Sequence, residues 1–274
     1  AHARYCLALA EAAAPQLHGP QQIGWFDRLD EEHANLRVAL AWLLEKGKVA
    51  EALRLACALD WFWHVRGHYA EGRTWLEQAL AATPTSDPPI PAPLVAQAHG
   101  IVSHLAIDQG DAAAALPHAE QSLALWRDLE RDSGSGLAAP YPLLLAIEGV
   151  LHATGMQGDH SQTHLLVPEL VARIEAAADP WLDAWLTFSH GAAVLENFGD
   201  IAFAQEKLTR AQALFDTLGD TYYQAHVLAW LGLLAMMQGD PAAARASCER
   251  ALAEAGRLKE RTLEAQTLDR LGDV

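Results

Sequence analysis

The chain has 274 residues, 51% of them hydrophobic, and sets 35 acidic against 19 basic residues for a formal charge of −16. A field of that sign repels the phosphate backbone and no basic run offsets it, so direct nucleic-acid binding by this stretch is not expected. Beta-branched residues are sparse while Ala, Leu, Glu, Gln and Arg dominate, which specifies an all-α class with enough apolar material for a sizeable core.

Cys6, Cys57 and Cys248 are scattered and form no C-x-x-C pair, which argues against a disulfide framework and suits a reducing compartment. The chain opens inside a helical pattern without an initiator Met, and so reads as a piece of a longer protein. It shows neither a signal peptide nor an apolar run of membrane-spanning length, so a cytoplasmic location without a membrane partner is expected.

In chain order, the apolar periodicity predicts helices over 2–17, 20–46 with a break near Asp30, 48–66, 68–83 and 92–109. It continues with 111–131, 138–157, 159–178, 180–198, 200–218, 220–238, 240–257 and 259–274. Pro84, Pro88, Pro89, Pro91 and Pro93 forbid a helix interior between the fourth and fifth of these. Asp132-Ser133-Gly134-Ser135-Gly136 reads as a flexible connector.

A phrase recurs at the helix junctions: Gly67-His68-Tyr69, Gln109-Gly110-Asp111, Gln157-Gly158-Asp159, Phe198-Gly199-Asp200 and Gln238-Gly239-Asp240. Its intervals are 43, 48, 41 and 40 residues, each room for two helices, which is the mark of a helical solenoid. Gly supplies the left-handed residue that ends one helix, and Asp caps the next by accepting backbone N–H bonds. Behind each glycine runs a stripe of small and apolar residues, such as Ala115, Ala119 and Leu123 after Gly110, or Ala244, Cys248, Ala251 and Leu252 after Gly239. That spacing puts small side chains where helices approach closely.

A turn Gly, a small residue five later and Ala-Leu twelve and thirteen later resemble the second helix of a tetratricopeptide repeat. Leu231-Gly232 before Gly239, repeated as Leu271-Gly272, matches the first helix. The unit at Gly158 departs from the pattern, with Thr163 and Val167 in place of small residues. Residues 1–46 do not fit the repeat. Their Trp25-Phe26-Asp27-Arg28-Leu29 and Glu32-His33-Ala34-Asn35-Leu36-Arg37 resemble the helical segment that joins ATPase module to sensor in bacterial signal-transduction ATPases with numerous domains (STAND proteins). The resemblance implies a helical arm over 1–46 and, over 47–274, a right-handed superhelical solenoid of about five antiparallel pairs plus a truncated final helix. It also implies an ATPase domain upstream in the same chain.

No P-loop, G-x-S-x-G elbow, H-E-x-x-H helix or kinase signature is present, and Ser189-His190 has no acidic orienter nearby in sequence. Binding rather than catalysis is therefore expected, with no cofactor and no metal site. His160 and His164, four apart, read as solvated rather than as a ligand pair. In tetratricopeptide arrays the first helix of each pair lines the concave face. Transfer by register from the turn glycines gives Arg54, Trp61 and His64, then Gln97, His104 and Asp108. The later pairs give Glu148 and His152, Glu196 and Asn197, and His226 with the blander Met236 and Met237. Trp61 and Trp63 point about 160° apart on a helix and cannot both face one core, so structural packing is the leading expectation for each, the alternative being that one seals the joint to the N-terminal helices while the other reaches this groove. The groove would take an inducer, peptide or partner protein, with its N-terminal half the richer in chemistry. The leading expectation is a sensor domain of a signalling ATPase or transcriptional regulator. The alternative is a passive tetratricopeptide scaffold without a switching role.

Overall fold

The computed structural model describes residues 1–133 and 141–272, so the Ser-Gly connector beyond Ser133 lies outside the described residues. Among the described residues there is no strand, and the helices form packed antiparallel pairs. They are α1 (His2–Ala13), α2 (Gln22–Glu45), α3 (Val49–Ala58), α4 (Asp60–Arg66), α5 (Tyr69–Ala81), α6 (Ala92–Asp108) and α7 (Ala112–Ser133). These are followed by α8 (Tyr141–Met156), α9 (Thr163–Ala177), α10 (Pro180–Phe198), α11 (Ile201–Leu218), α12 (Thr221–Met237), α13 (Pro241–Leu258) and α14 (Arg261–Gly272). No helix among the described residues is long and apolar enough to cross a membrane.

The turns follow the local chemistry. All five glycines of the repeated phrase have φ between +64° and +75°, the region where a Cβ is strained. The following acids cap as expected: Asp111 accepts from Ala114 N, Asp200 from Phe203 N and Asp240 from Ala243 N. Asp159 accepts instead from Ser161 N. The chain there makes an extra turn, so α9 begins at Thr163 rather than at 159. Helix α2 runs unbroken through Asp30. Its buried stripe of Phe26, Leu29, Leu36, Leu40 and Leu43 keeps helical spacing, and no residue near Asp30 interrupts the ladder. The helix expected over 48–66 is interrupted at Leu59 (φ −96°, ψ 1°), which ends α3 and lets α4 start at Asp60.

The chain divides into two compact units. One contains Ala1–Pro15, Asp27–His64 and His68–Ala177; the other contains Gln16–Phe26, Val65–Gly67 and the chain from Ala178 onward. The first 46 residues are divided between the two units. In the first unit Ala106, Ala115 and Ala153 bring α6, α7 and α8 to close contact, packed round by Ile107, Ala114 and Leu116. Trp63 and Phe62 are fully buried, with the Trp63 ring filling the space beside Gly72. In the second unit Leu195, Ala204, Leu208 and Leu234 join α10, α11 and α12, and Ala225, Ala229, Ala251, Ala255 and Leu263 join α12, α13 and α14. Small residues on facing stripes permit this short interaxial distance.

The second unit also buries a polar knot. Gln22 and Asp220 are both fully buried. Gln22 Nε2 donates to Asp220 Oδ1 (3.1 Å), and Gln22 Oε1 accepts from Tyr222 N (2.9 Å). Asp220 also caps α12 by accepting from Tyr223 N and takes the Trp181 Nε1–H at 2.8 Å. Every group in the knot named here is matched, which is the condition for burying polar atoms without a large penalty.

Candidate functional site

In the first unit, the first helices of three successive pairs present acids and imidazoles in a regular alternation. On α4 stand Asp60 and His64, on α6 His104 and Asp108, on α8 Glu148 and His152. Within each helix the two are four residues apart and share a face. Between neighbouring helices the corresponding positions are 44 residues apart, and the residue type alternates at every step. One row therefore reads Asp60, His104, Glu148 and the other His64, Asp108, His152.

The geometry of the first two helices is tight. His64 Nδ1 lies 2.7 Å from Asp108 Oδ2, and His104 Nδ1 lies 4.0 Å from Asp60 Oδ1. The four side chains are only 12–18% exposed. The His64 and His104 rings stack at 4.7 Å and 17°, and Trp61 stacks on His64 at 4.7 Å and 16°. Tyr69, at the start of α5, closes one side with its ring 6.2 Å from that of His64. On α8 His152 Nδ1 is 3.6 Å from Glu148 Oε1, and the His152 ring is more than half exposed.

Burial and the neighbouring imidazoles together move the two aspartates apart. Burial pushes the Asp60 carboxyl up and Asp108 adds to that, against the opposing pull of His104 and His64. Burial also works to raise Asp108, but His64, His104, the His64 hydrogen bond and His152 together outweigh it and hold the carboxyl below its ordinary value. Asp108 is therefore the more acidic of the two carboxyls and Asp60 the less acidic. Tyr141, at the start of α8, is raised by burial and by the charges of Asp60 and Glu148, so its phenol stays neutral. Two carboxyls and two imidazoles at this separation can hold a cation, or bind a polar group from either side of its charge. Among the described residues, His64, His104 and Asp108 are the set whose His, Cys, Asp or Glu donors gather closely enough to hold a metal ion.

Of the positions transferred by register, the first unit brings His64, His104 and Asp108 together, with Glu148 and His152 adjoining. Gln97 lies about two turns before His104 on the same face of α6. Arg54 does not join them. Its guanidinium pairs instead with Glu11 of α1 at 2.6 Å, and Leu59 interrupts the helix between Arg54 and Trp61. Trp61 is 5% exposed and lies behind His64, and Trp63 is 1% exposed. Both tryptophans are thus packed, and neither reaches an open groove.

Glu196 on α10 is exposed and belongs to the second unit; the Asn197 side chain lies outside the described residues. His226 on α12 packs its ring against Tyr222 at 4.3 Å within that unit. Met237 is exposed. His160 lies in the turn before α9 and His164 in its first turn, both exposed. Asp60 and Tyr141 were missed in the sequence. The 44-residue alternation of acid and His was the signal that could have found Asp60.

Comparison with known proteins gives two likenesses, and no family model matches the chain. In sequence it is 26% identical over 220 residues to proteins of Mycobacterium tuberculosis (strains H37Rv and CDC 1551) and Mycobacterium bovis, which are provisionally named as HTH-type transcriptional regulators. The match covers 78% of this chain but 23% of those relatives, so the chain spans under a quarter of their length. In structure it resembles BtubC (BKLC) from P. vanneervenii, with a TM-score of 0.56 and 14% identity over 81% of this chain and 90% of that one. The second likeness is one of fold: stacked antiparallel helix pairs on the solenoid plan.

Proposed function

We propose that this chain is the sensor region of a transcriptional regulator, a tetratricopeptide-like array that binds an inducer or peptide on the α4–α6–α8 wall. It passes that state to an ATPase module of the STAND type elsewhere in the same protein. The observation that carries this reading is the acid–imidazole alternation. Six ionisable side chains on consecutive first helices exceed what helix packing needs, and they line one face in the unit with the tightest cluster. The match to mycobacterial regulators supplies the context. The −16 charge leaves contact with DNA to another part of such a protein.

The physical mechanism is a shift between two arrangements of helix pairs. A ligand that touches α4, α6 and α8 at once favours the arrangement in which the two rows align across the three helices, and can move the equilibrium by its differential affinity for that state. In this reading the wall binds a ligand rather than transforming it. The cytoplasm is the compartment consistent with this role and with three buried free cysteines.

The test is effector-dependent transcription from a reporter in a regulator carrying this chain. Asp108→Asn keeps the shape and removes the anion; it is expected to abolish or shift the response by at least tenfold at unchanged protein level. An unaltered dose response in both Asp108→Asn and His104→Gln would leave a scaffold role as the better account.

A further inference from the structure

We propose that His64, His104 and Asp108, completed by Asp60, form a site for one divalent transition-metal cation. This inference rests on the reading of the α4–α6–α8 wall as the binding face, and adds the chemical class of one ligand. One donor atom from each of His64, His104 and Asp108 lies within 4.8 Å of the others. The second observation is independent of that grouping. Asp60 Oδ1 and His104 Nδ1 are buried atoms 4.0 Å apart, and neither makes a hydrogen bond among the described residues. A cation between them would satisfy both, where the protein alone leaves them unmatched.

The donor set selects the metal. Two imidazoles and two carboxylates suit borderline cations such as Zn2+ or Co2+, whereas Ca2+ and Mg2+ prefer all-oxygen shells. No cysteine is among the donors that gather here, so a thiophilic ion finds no thiolate. Metal–ligand bonds of about 2.0–2.2 Å place the donors of a four-coordinate site about 3.4 Å apart. The cluster therefore has to draw in by roughly one ångström, a side-chain rather than a backbone adjustment. His64 is held in plane by its stack on Trp61, the kind of support that orients a ligating ring. A bound cation would replace the His64–Asp108 hydrogen bond and clasp α4 to α6, two successive helix pairs. Occupancy would then bias the arrangement of neighbouring pairs that the sensor reading invokes.

The test is calorimetric titration of the 274-residue chain, free of any histidine tag, with Zn2+. One cation per chain is expected, with affinity at least tenfold weaker in His104→Gln and in Asp108→Asn. Circular dichroism would confirm that both variants fold. The double variant His160→Gln/His164→Gln, which alters the exposed pair, is expected to bind as the unmodified chain does. Since a variant can fail to fold, the visible spectrum of the Co2+-loaded unmodified chain gives a second reading. It should show the intense bands of a four-coordinate nitrogen–oxygen site without a thiolate charge-transfer band. Absence of a one-equivalent site, binding indifferent to His104 and Asp108, or a weak aquo-like cobalt spectrum would overturn the inference. If no cation binds while an organic effector's response is lost in Asp108→Asn, the metal is refuted and the binding face stands. If the cation binds here and that response survives the variant, the site stands and the sensor reading falls.

Discussion

The Nδ1 of His64 and the Oδ2 of Asp108 meet at 2.7 Å across 44 residues of chain, joining the first helices of two successive pairs. Both side chains are under a fifth exposed, so this contact escapes the screening that makes surface pairs worth little. A double-mutant cycle of His64→Ala and Asp108→Ala, measured by denaturant unfolding, should give a coupling of about 1–3 kcal/mol. Additive single effects would mean that the pair only coexists in space.

In the second unit the corresponding test falls on Asp220. Itself fully buried, it caps α12 and also accepts from Gln22 and Trp181. Asp220→Ala orphans several donors at once and should cost about 3 kcal/mol or more. Asp240→Ala removes only a cap at the exposed start of α13 and should cost about 1 kcal/mol. Equal losses in thermal or chemical denaturation would show that the knot adds nothing to capping.

Two helical glycines should respond in opposite directions. A Cβ at Gly72 would come within 2.4 Å of the Trp63 ring and 2.9 Å of Leu105, and the indole has no free direction in which to move. Gly72→Ala is therefore expected to destabilise by roughly 1–3 kcal/mol through overpacking. A Cβ at Gly24 on α2 meets nothing within 4 Å, so Gly24→Ala should be neutral or stabilise by up to about 1 kcal/mol through helix propensity. Melting temperatures of the two variants decide this.

The pair His99 and His118 gives the chain a pH dependence apart from the wall. Their Nδ1 atoms are 2.8 Å apart, one ring donating and the other accepting. Burial, aided by His118, pushes His99 from 6.5 down to about 4, and burial lowers His118 as well. Between those values the unfolded chain takes up protons that the folded chain refuses, so stability rises with pH across the window. The contribution is fully present above pH 6.5 and is lost as pH falls toward 4. His99→Gln should flatten the fall in melting temperature over that range. Parallel profiles for both proteins would count against a neutral buried pair.

Much of the fold was legible because its signals are local. The Gly-Asp junctions at Gly110, Gly199 and Gly239 carry both the left-handed residue and the cap, and their structures match the chemistry read from the letters. The break at Leu59 was not legible. Cys57-Ala58-Leu59-Asp60 contains no Gly, Pro or turn pair, so tertiary packing sets that break; Arg54 was misplaced as well. The wall was half visible. His64, His104 and Asp108 came from register alone, but Asp60, as an acid at an expected helix interior, gave no local sign of its partner. The intervals of 43 and 48 between turn glycines also concealed the uniform spacing of 44 that links the acids and imidazoles.

The central claim is that the α4–α6–α8 wall is where this chain binds. Its most direct test is hydrogen exchange on the chain, with and without the tightest binder recovered from a pool of metabolites and peptides. Slowed exchange should appear in segments spanning Asp60–Arg66, the C-terminal half of α6 around His104 and Asp108, and α8 around Glu148 and His152, because ordering these side chains suppresses local opening. Protection confined to α12 around His226, or to α1 and α3 around Glu11 and Arg54, with the wall unchanged, would contradict it.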